Sequence, residues 1–153
     1  MEHPYNPPKT DQALCQAIQE NIAYIQTFPP QRLMVMLQPS LLEASLAERT
    51  ARFQYPIQDW MLNAVNIVHG GAISSIFDNG MALLLRRYTD RDCRTLNLQV
   101  SYAAPIPLDA GHVTLQCKIQ ALSHRVAHMW AGAYINHDPM PAATATSIFY
   151  MLK

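Results

Sequence analysis

Gly70, Gly71, Ser74, Ser75 and Asp78 all fall in one apolar stretch, NAVNIVHGGAISSIFDNGMALLL, residues 63–85. Ser74 and Ser75 precede Asp78 by four and three positions, so on a helix the three share a stripe. Aspartate is a poor helix former, and burying it ionised is costly unless it is paired or hydrogen-bonded. One reading is structural: the two serines hold Asp78 as a polar spot inside a buried helix. The other is chemical and starts from the glycines.

Glycine at the start of a helix gives up about 1 kcal/mol of propensity relative to alanine, but it lets another group come close to the backbone. The first N–H groups of a helix are unpaired and lie at the positive end of its dipole. A Gly70 N–H so placed can donate to a polarised carbonyl oxygen, as acyl transfer requires. The plainer alternative is a tight loop-to-helix turn with no ligand. Gly70 and Asp78 are eight residues apart, about 12 Å along a helix. A reacting carbonyl has to lie ~3 Å from its donor, with its attacking group similarly near. One helix cannot present both groups to one atom. Two antiparallel helices can, each N-terminus meeting the aspartate of its neighbour.

The elements that would carry these residues follow from periodicity. Residues 70–88 are apolar on nearly every side and predict a buried helix. Residues 11–27 predict another, with Leu14, Ile18, Ile22 and Ile25 near one face, stopped by FPPQ. Residues 31–47 read as a turn or short helix followed by a strand. In RTARFQYPI, residues 49–57, alternation places Ala51, Phe53, Tyr55 and Ile57 on one face of a strand, and residues 58–68 form a loop. Four β-rich runs follow, at 95–106, 111–123, 125–136 and 141–152, with LDAG and NHDP as turns. The order implies an α+β fold, a curved antiparallel sheet around one long central helix.

Composition narrows the class. The 153 residues make one domain, charged residues are 14 % and apolar ones 50 %. That is more apolar surface than a small monomer readily hides, and it favours self-association. Eleven basic and eleven acidic side chains cancel, so the footprint expected for nucleic acid is missing. Cys15, Cys93 and Cys117 are too scattered for a zinc pattern and odd in number for a disulfide framework. MEHPYNPPKT does not read as a signal peptide, and no run approaches the ~20 apolar residues of a membrane span. A cytoplasmic protein without membrane or nucleic-acid partners is expected.

Asn63, His69, Gly70, Gly71 and Asp78, in the pattern N-x5-HGG-x6-D, resemble the signature of hotdog-fold acyl-CoA thioesterases of the phenylacetate-degradation type. TLNLQVSYAAP is similar to the family strand ending in Tyr-x-x-Pro, and AATATSIF continues the likeness. The resemblance covers residues 41–153, the hotdog domain, and leaves 1–40 as a helical extension. It implies the hotdog fold and hydrolysis of an acyl-CoA substrate at sites shared between the chains of a homodimer, or a dimer of dimers, without cofactor or metal. By the same resemblance Gly70 is the oxyanion donor, and Asn63 and His69 orient the loop and the thioester carbonyl. Asp78 of the opposing subunit is a general base or a nucleophile, and Thr95 helps hold the water. Gly71, Phe77, Arg125 and Asn66 are candidate substrate contacts. Arg125 suits a coenzyme A phosphate. Asn66 replaces a glycine that the family commonly has, which leaves either asparagine as the contact.

His124 and His128, four residues apart in SHRVAH, lack a third ligand, and no metal site is expected. Arg86 and Arg87 suit the C-terminal end of the central helix. Met34, Met36, Met81, Met129 and Trp130 read as core. The rival function is a hotdog protein that binds acyl-CoA without turnover, as a sensor or regulator. A regulator would need a DNA-reading module, and the neutral charge and single N-terminal helix supply none.

Overall fold

A computed structural model describes residues 6–152 of the chain. Helix α1 (Asp11–Ile25) begins at Thr10, whose side chain caps it by accepting from the Ala13 N–H, and buries Leu14, Ile18 and Ile25. It ends two residues earlier than its periodicity suggests. Thr27 folds its hydroxyl back onto the Tyr24 carbonyl at 2.7 Å before Phe28 and Pro29 turn the chain. A short helix α2 (Leu33–Met36) leads into strands β1 (Ser40–Ser45) and β2 (Thr50–Pro56). In β2 the alternation holds: Ala51, Phe53 and Tyr55 are buried.

Helix α3 (Gly70–Thr89) is the long central element. It buries Ile73, Ile76, Phe77, Met81, Leu83, Leu84 and Leu85, each worth roughly 1.5–3 kcal/mol against exposure. Asp90, in the left-handed region at φ 50°, closes its C-terminus. Strands β3 (Cys93–Tyr102), β4 (His112–Leu122), β5 (Val126–Tyr134) and β6 (Ala143–Met151) complete one six-stranded antiparallel sheet in the order β1-β2-β4-β5-β6-β3. The helix lies across one face of this sheet, and α1 packs on β1 and α3 within the same core. Gly80 fixes how closely α3 sits: a Cβ there would collide with Leu115 Cδ2 of β4 and lie 3.1 Å from the Tyr55 hydroxyl. This is the hotdog fold, α+β.

Met36 is half-buried outside the core, unlike its sequence reading, and two further details depart from that reading. Trp130 is half-buried on the outer face of the sheet, against Gly132, and is not core. His124 lies in the turn before β5, so no strand carries the His124–His128 spacing. Among the described residues no cluster of His, Cys, Asp or Glu could hold a metal ion. No helix among them is long and apolar enough to cross a membrane.

β3 pairs with β6 along one edge, and its other edge has no strand partner among the described residues. A bulge at Leu96 interrupts its register between Thr95 and Asn97. Thr95 pairs with Phe149, and beyond the bulge Leu98 pairs with Ser147, Val100 with Ala145 and Tyr102 with Ala143. These four β6 partners are buried. Thr95, Leu98, Val100 and Tyr102 therefore share the face that carries α3, with Thr95 and Tyr102 exposed and Leu98 and Val100 half-buried against the core.

Candidate active site

The loop before α3 is built by one side chain. Asn63 Oδ1 accepts from the N–H groups of Val65 (3.0 Å) and Ile67 (3.3 Å), and the Asn63 N–H donates to the Ile67 carbonyl. Asn66 turns the chain at φ 59°, a left-handed conformation that glycine and asparagine tolerate best. This accounts for asparagine at a position that glycine could also fill. Val68 and His69 then fasten the loop by donating to the Ile106 and Met61 carbonyls at 2.8 and 2.7 Å.

His69 is the N-cap of α3. Its Nδ1 accepts from the Gly71 N–H at 3.0 Å, so in the neutral imidazole the proton resides on Nε2. The His69 carbonyl takes the N–H groups of Ala72 and Ile73. Of the first-turn amides only that of Gly70 has no partner among the described residues. An orphan amide at a helix N-terminus is suited to a carbonyl oxygen that gains negative charge.

The absence of a side chain at Gly70 has a specific use. A Cβ there would lie 3.3 Å from both Cζ and the hydroxyl of Tyr102. The close neighbour is thus Tyr102 of the same chain. A Cβ at Gly71 would meet only the His69 ring.

Asp78 is half-buried, two turns into the helix. Thr95 Oγ1 donates to its Oδ1 at 2.6 Å, a short contact of the charge-assisted kind. Oδ2 has no partner among the described residues. The neighbouring serines do not hold the carboxylate: Ser75 donates to the Gly71 carbonyl at 2.9 Å, and Ser74 is bonded to the Tyr102 hydroxyl at 2.8 Å. Asn79, beside Asp78, accepts from the buried Tyr55 hydroxyl at 2.8 Å. Burial pushes the Tyr55 phenol well above its ordinary range and keeps it a donor.

Asn63, His69, Gly70, Gly71, Asp78 and Thr95 are thus arrayed along α3, its entry loop and the uncovered strand β3. Asn66 is exposed in the same loop. Phe77 is not brought to this surface; it is 0 % exposed, in the core with Ile73 and Ile76. Arg125 lies in the β4–β5 turn, with its guanidinium 3.3 Å from the Tyr150 hydroxyl. Arg94 pairs with Tyr150, so this turn is at the Thr95 end of the sheet. A cavity of about 280 Å³ lies on the outer face, lined by Asn97, Gln99, Gln120 and His128 among others, away from these residues. The sequence reading missed Tyr102 as part of the site. Its signal was the glycine at position 70, which implies a close neighbour without naming it.

Residues 65–150, more than half of the chain, match the family model of the thioesterase superfamily. The chain belongs to that superfamily. Among solved structures it resembles a phenylacetic acid degradation-related protein of Ralstonia eutropha, at 20 % identity and TM-score 0.72, covering 88 % of this chain and 98 % of that one. It also resembles the PaaI protein of the phenylacetic acid degradation operon of Escherichia coli, at 13 % identity and TM-score 0.75, covering 92 % and 96 %. Thioesterase superfamily member 2 of Mus musculus matches at 13 % identity and TM-score 0.76, covering 90 % and 96 %. No curated protein is a significant match to the sequence.

Proposed function

We propose that the protein hydrolyses acyl-CoA thioesters, those of aromatic or short-to-medium acyl groups, at sites shared between two chains. One observation carries the proposal: the Gly70 N–H is the one uncommitted first-turn amide among the described residues, while Asp78 has one oxygen held by Thr95 and the other free. The two groups lie about 12 Å apart along one helix. A second chain, set against the uncovered β3 edge with its α3 antiparallel, brings its Asp78 to the first chain's Gly70. The assembly is a homodimer, or a dimer of such dimers.

In this site the thioester oxygen accepts from the Gly70 N–H, and the charge that develops there meets the positive end of the helix. Asp78 of the opposing chain acts in one of two ways. As a general base it takes a proton from a water that Thr95 helps to hold, and the hydroxide adds to the carbonyl carbon. As a nucleophile it adds directly, and water then cleaves the mixed anhydride. In both routes the C–S bond breaks, the thiol of coenzyme A leaves, and the acyl group becomes a carboxylate. Asn63 and His69 keep the Gly70 turn in shape, and Arg125 is an exposed cation for a phosphate of the coenzyme. The aromatic part of the acyl preference is supported by the names of the Ralstonia eutropha and Escherichia coli relatives, and the low share of charged residues, 14 %, suits neutral acyl groups. Phe77, a candidate substrate contact by sequence, gives no support to that preference because the ring is closed in the core.

The test is release of free thiol from phenylacetyl-, hexanoyl-, palmitoyl- and succinyl-CoA under identical conditions. Turnover of the first two at higher kcat/KM than the last two supports the reading. Tight binding of acyl-CoA with no thiol released would instead favour the binding protein without turnover.

A further inference from the structure

The hydroxyl of Tyr102 has two partners, 2.9 Å from the Gly70 carbonyl oxygen and 2.8 Å from Ser74 Oγ. The direction of both bonds follows from counting protons. A carbonyl only accepts, so the single phenolic proton goes to Gly70, and the Ser74 hydroxyl must therefore donate to Tyr102. Ser74, Tyr102 and Gly70 form a one-way relay that ends on the backbone of the residue proposed as oxyanion donor. The ring adds a second restraint, since it lies within van der Waals reach of the space where a Gly70 side chain would be. Tyr102 is nevertheless 52 % exposed. That exposure is of the single chain, whose core packing depends little on the ring. Its contacts instead converge on the first turn of α3.

We infer that Tyr102 is a positioning residue for thioester hydrolysis: it fixes the Gly70 turn, and so the aim of the Gly70 N–H, from the edge strand. The same strand carries Thr95, which holds Asp78, so both ends of the stripe Gly70–Ser74–Asp78 are tied to β3. The relay also directs the Ser74 proton to Tyr102 and away from Asp78, one helical turn further on. This inference rests on the hydrolase reading above. A donor that is misaimed loses transition-state stabilisation more than substrate binding, so the effect belongs in kcat.

The experiment compares Tyr102→Phe, Tyr102→Leu and Ser74→Ala in the full chain, using whichever acyl-CoA the wild type hydrolyses best. Tyr102→Phe keeps the ring and removes the relay; kcat should fall roughly three- to tenfold with KM within about twofold. Tyr102→Leu should fall further, with Phe the better replacement. Ser74→Ala should lower kcat by less than Tyr102→Phe. The double variant Ser74→Ala/Tyr102→Phe should be no worse than Tyr102→Phe alone, since one relay is lost once. An active wild type with an unchanged kcat in Tyr102→Phe would overturn the inference and leave the hydrolase reading standing. Additive losses in the double variant would also overturn it. Should Tyr102→Phe fail to fold, its hydroxyl is a structural requirement, and the inference falls. A wild type that releases no thiol from any substrate would remove the hydrolase reading itself.

Discussion

Thr95 and Asp78 meet across 2.6 Å although one lies on the edge strand of the sheet and the other midway along the central helix. The bond occupies one carboxylate oxygen and fixes the rotamer of Asp78, leaving the second oxygen available. Asp78→Asn retains an acceptor for Thr95 and removes the charge. Its kcat should drop on the order of 10²-fold or more, with acyl-CoA binding retained. Hydrolysis at the wild-type rate would dismiss Asp78 from the chemistry. Loss of folding would point to a structural carboxylate.

Thr95 has a parallel test in substitutions of similar size. Thr95→Ser preserves the hydroxyl and should keep most activity. Thr95→Val removes it while leaving the shape nearly unchanged, and kcat should fall about tenfold through loss of the charge-assisted bond. Equal rates for the two variants would show that the hydroxyl has no part in turnover.

Subunit mixing examines whether sites are shared. Gly70→Pro removes the donor at the first helical position, whose backbone suits proline because His69 before it is already extended at ψ 138°, and its Cβ also presses on Tyr102 from 3.3 Å. Mixed with Asp78→Asn subunits, it gives a hybrid in which one site has both lesions and the other has neither. Two inactive proteins should then regain part of the wild-type activity. If subunits exchange and activity stays absent, both groups act within one chain.

The α3–sheet contact predicts a stability effect without a chemical one. Gly80→Ala gains about 1 kcal/mol of helix propensity but overpacks against Leu115 and Tyr55, at a cost of roughly 1–3 kcal/mol. The net should be a Tm lower by a few degrees. Adding Leu115→Val should recover part of that loss. A raised Tm for Gly80→Ala would mean that the helix can lift from the sheet freely.

Alkaline pH should destabilise the fold. Burial raises the Cys117 and Cys93 thiols above their ordinary 9.0 and the Tyr55 phenol above its ordinary 10.0. The folded chain therefore keeps protons that the unfolded chain releases. Stability from these groups is complete below pH 9.0, the ordinary thiol value, and is lost as pH rises beyond it. Urea unfolding at increasing pH should show this decline, and Cys117→Val should make it shallower. The same slope in both proteins would place the thiol in contact with water.

The sequence showed the central helix and the β2 face plainly, because continuous apolarity and strict alternation leave little choice. It could not say which flank of α3 meets the sheet, since that helix is apolar nearly all round. Phe77 and Asp78 are neighbours in sequence, yet one is closed in the core and the other faces the uncovered strand. Strand β3 was obscured differently. Uninterrupted alternation would put Leu96, Leu98, Val100 and Tyr102 on one face and Thr95 on the other. The bulge at Leu96 reunites Thr95 with Tyr102, and an extra residue in a strand has no periodic signature. The Asn63, His69 and Gly70 turn was legible as a motif, whereas its internal hydrogen bonds depend on the positive φ at Asn66.

The sheet order gives the site a place in the sequence of folding events. β3 follows α3 directly in the chain, yet it waits for β6, and Asn97 accepts the Ser147 hydroxyl across 50 residues. The hairpin of β4 and β5 can close locally, while docking β3 on β6 requires the larger loop to be closed first. Thr95 and Tyr102 therefore reach α3 through a pairing much less local than the β4–β5 hairpin. Hydrogen exchange should find the β4–β5 amides protected earlier in refolding than those shared by β3 and β6. Activity should appear with the later group.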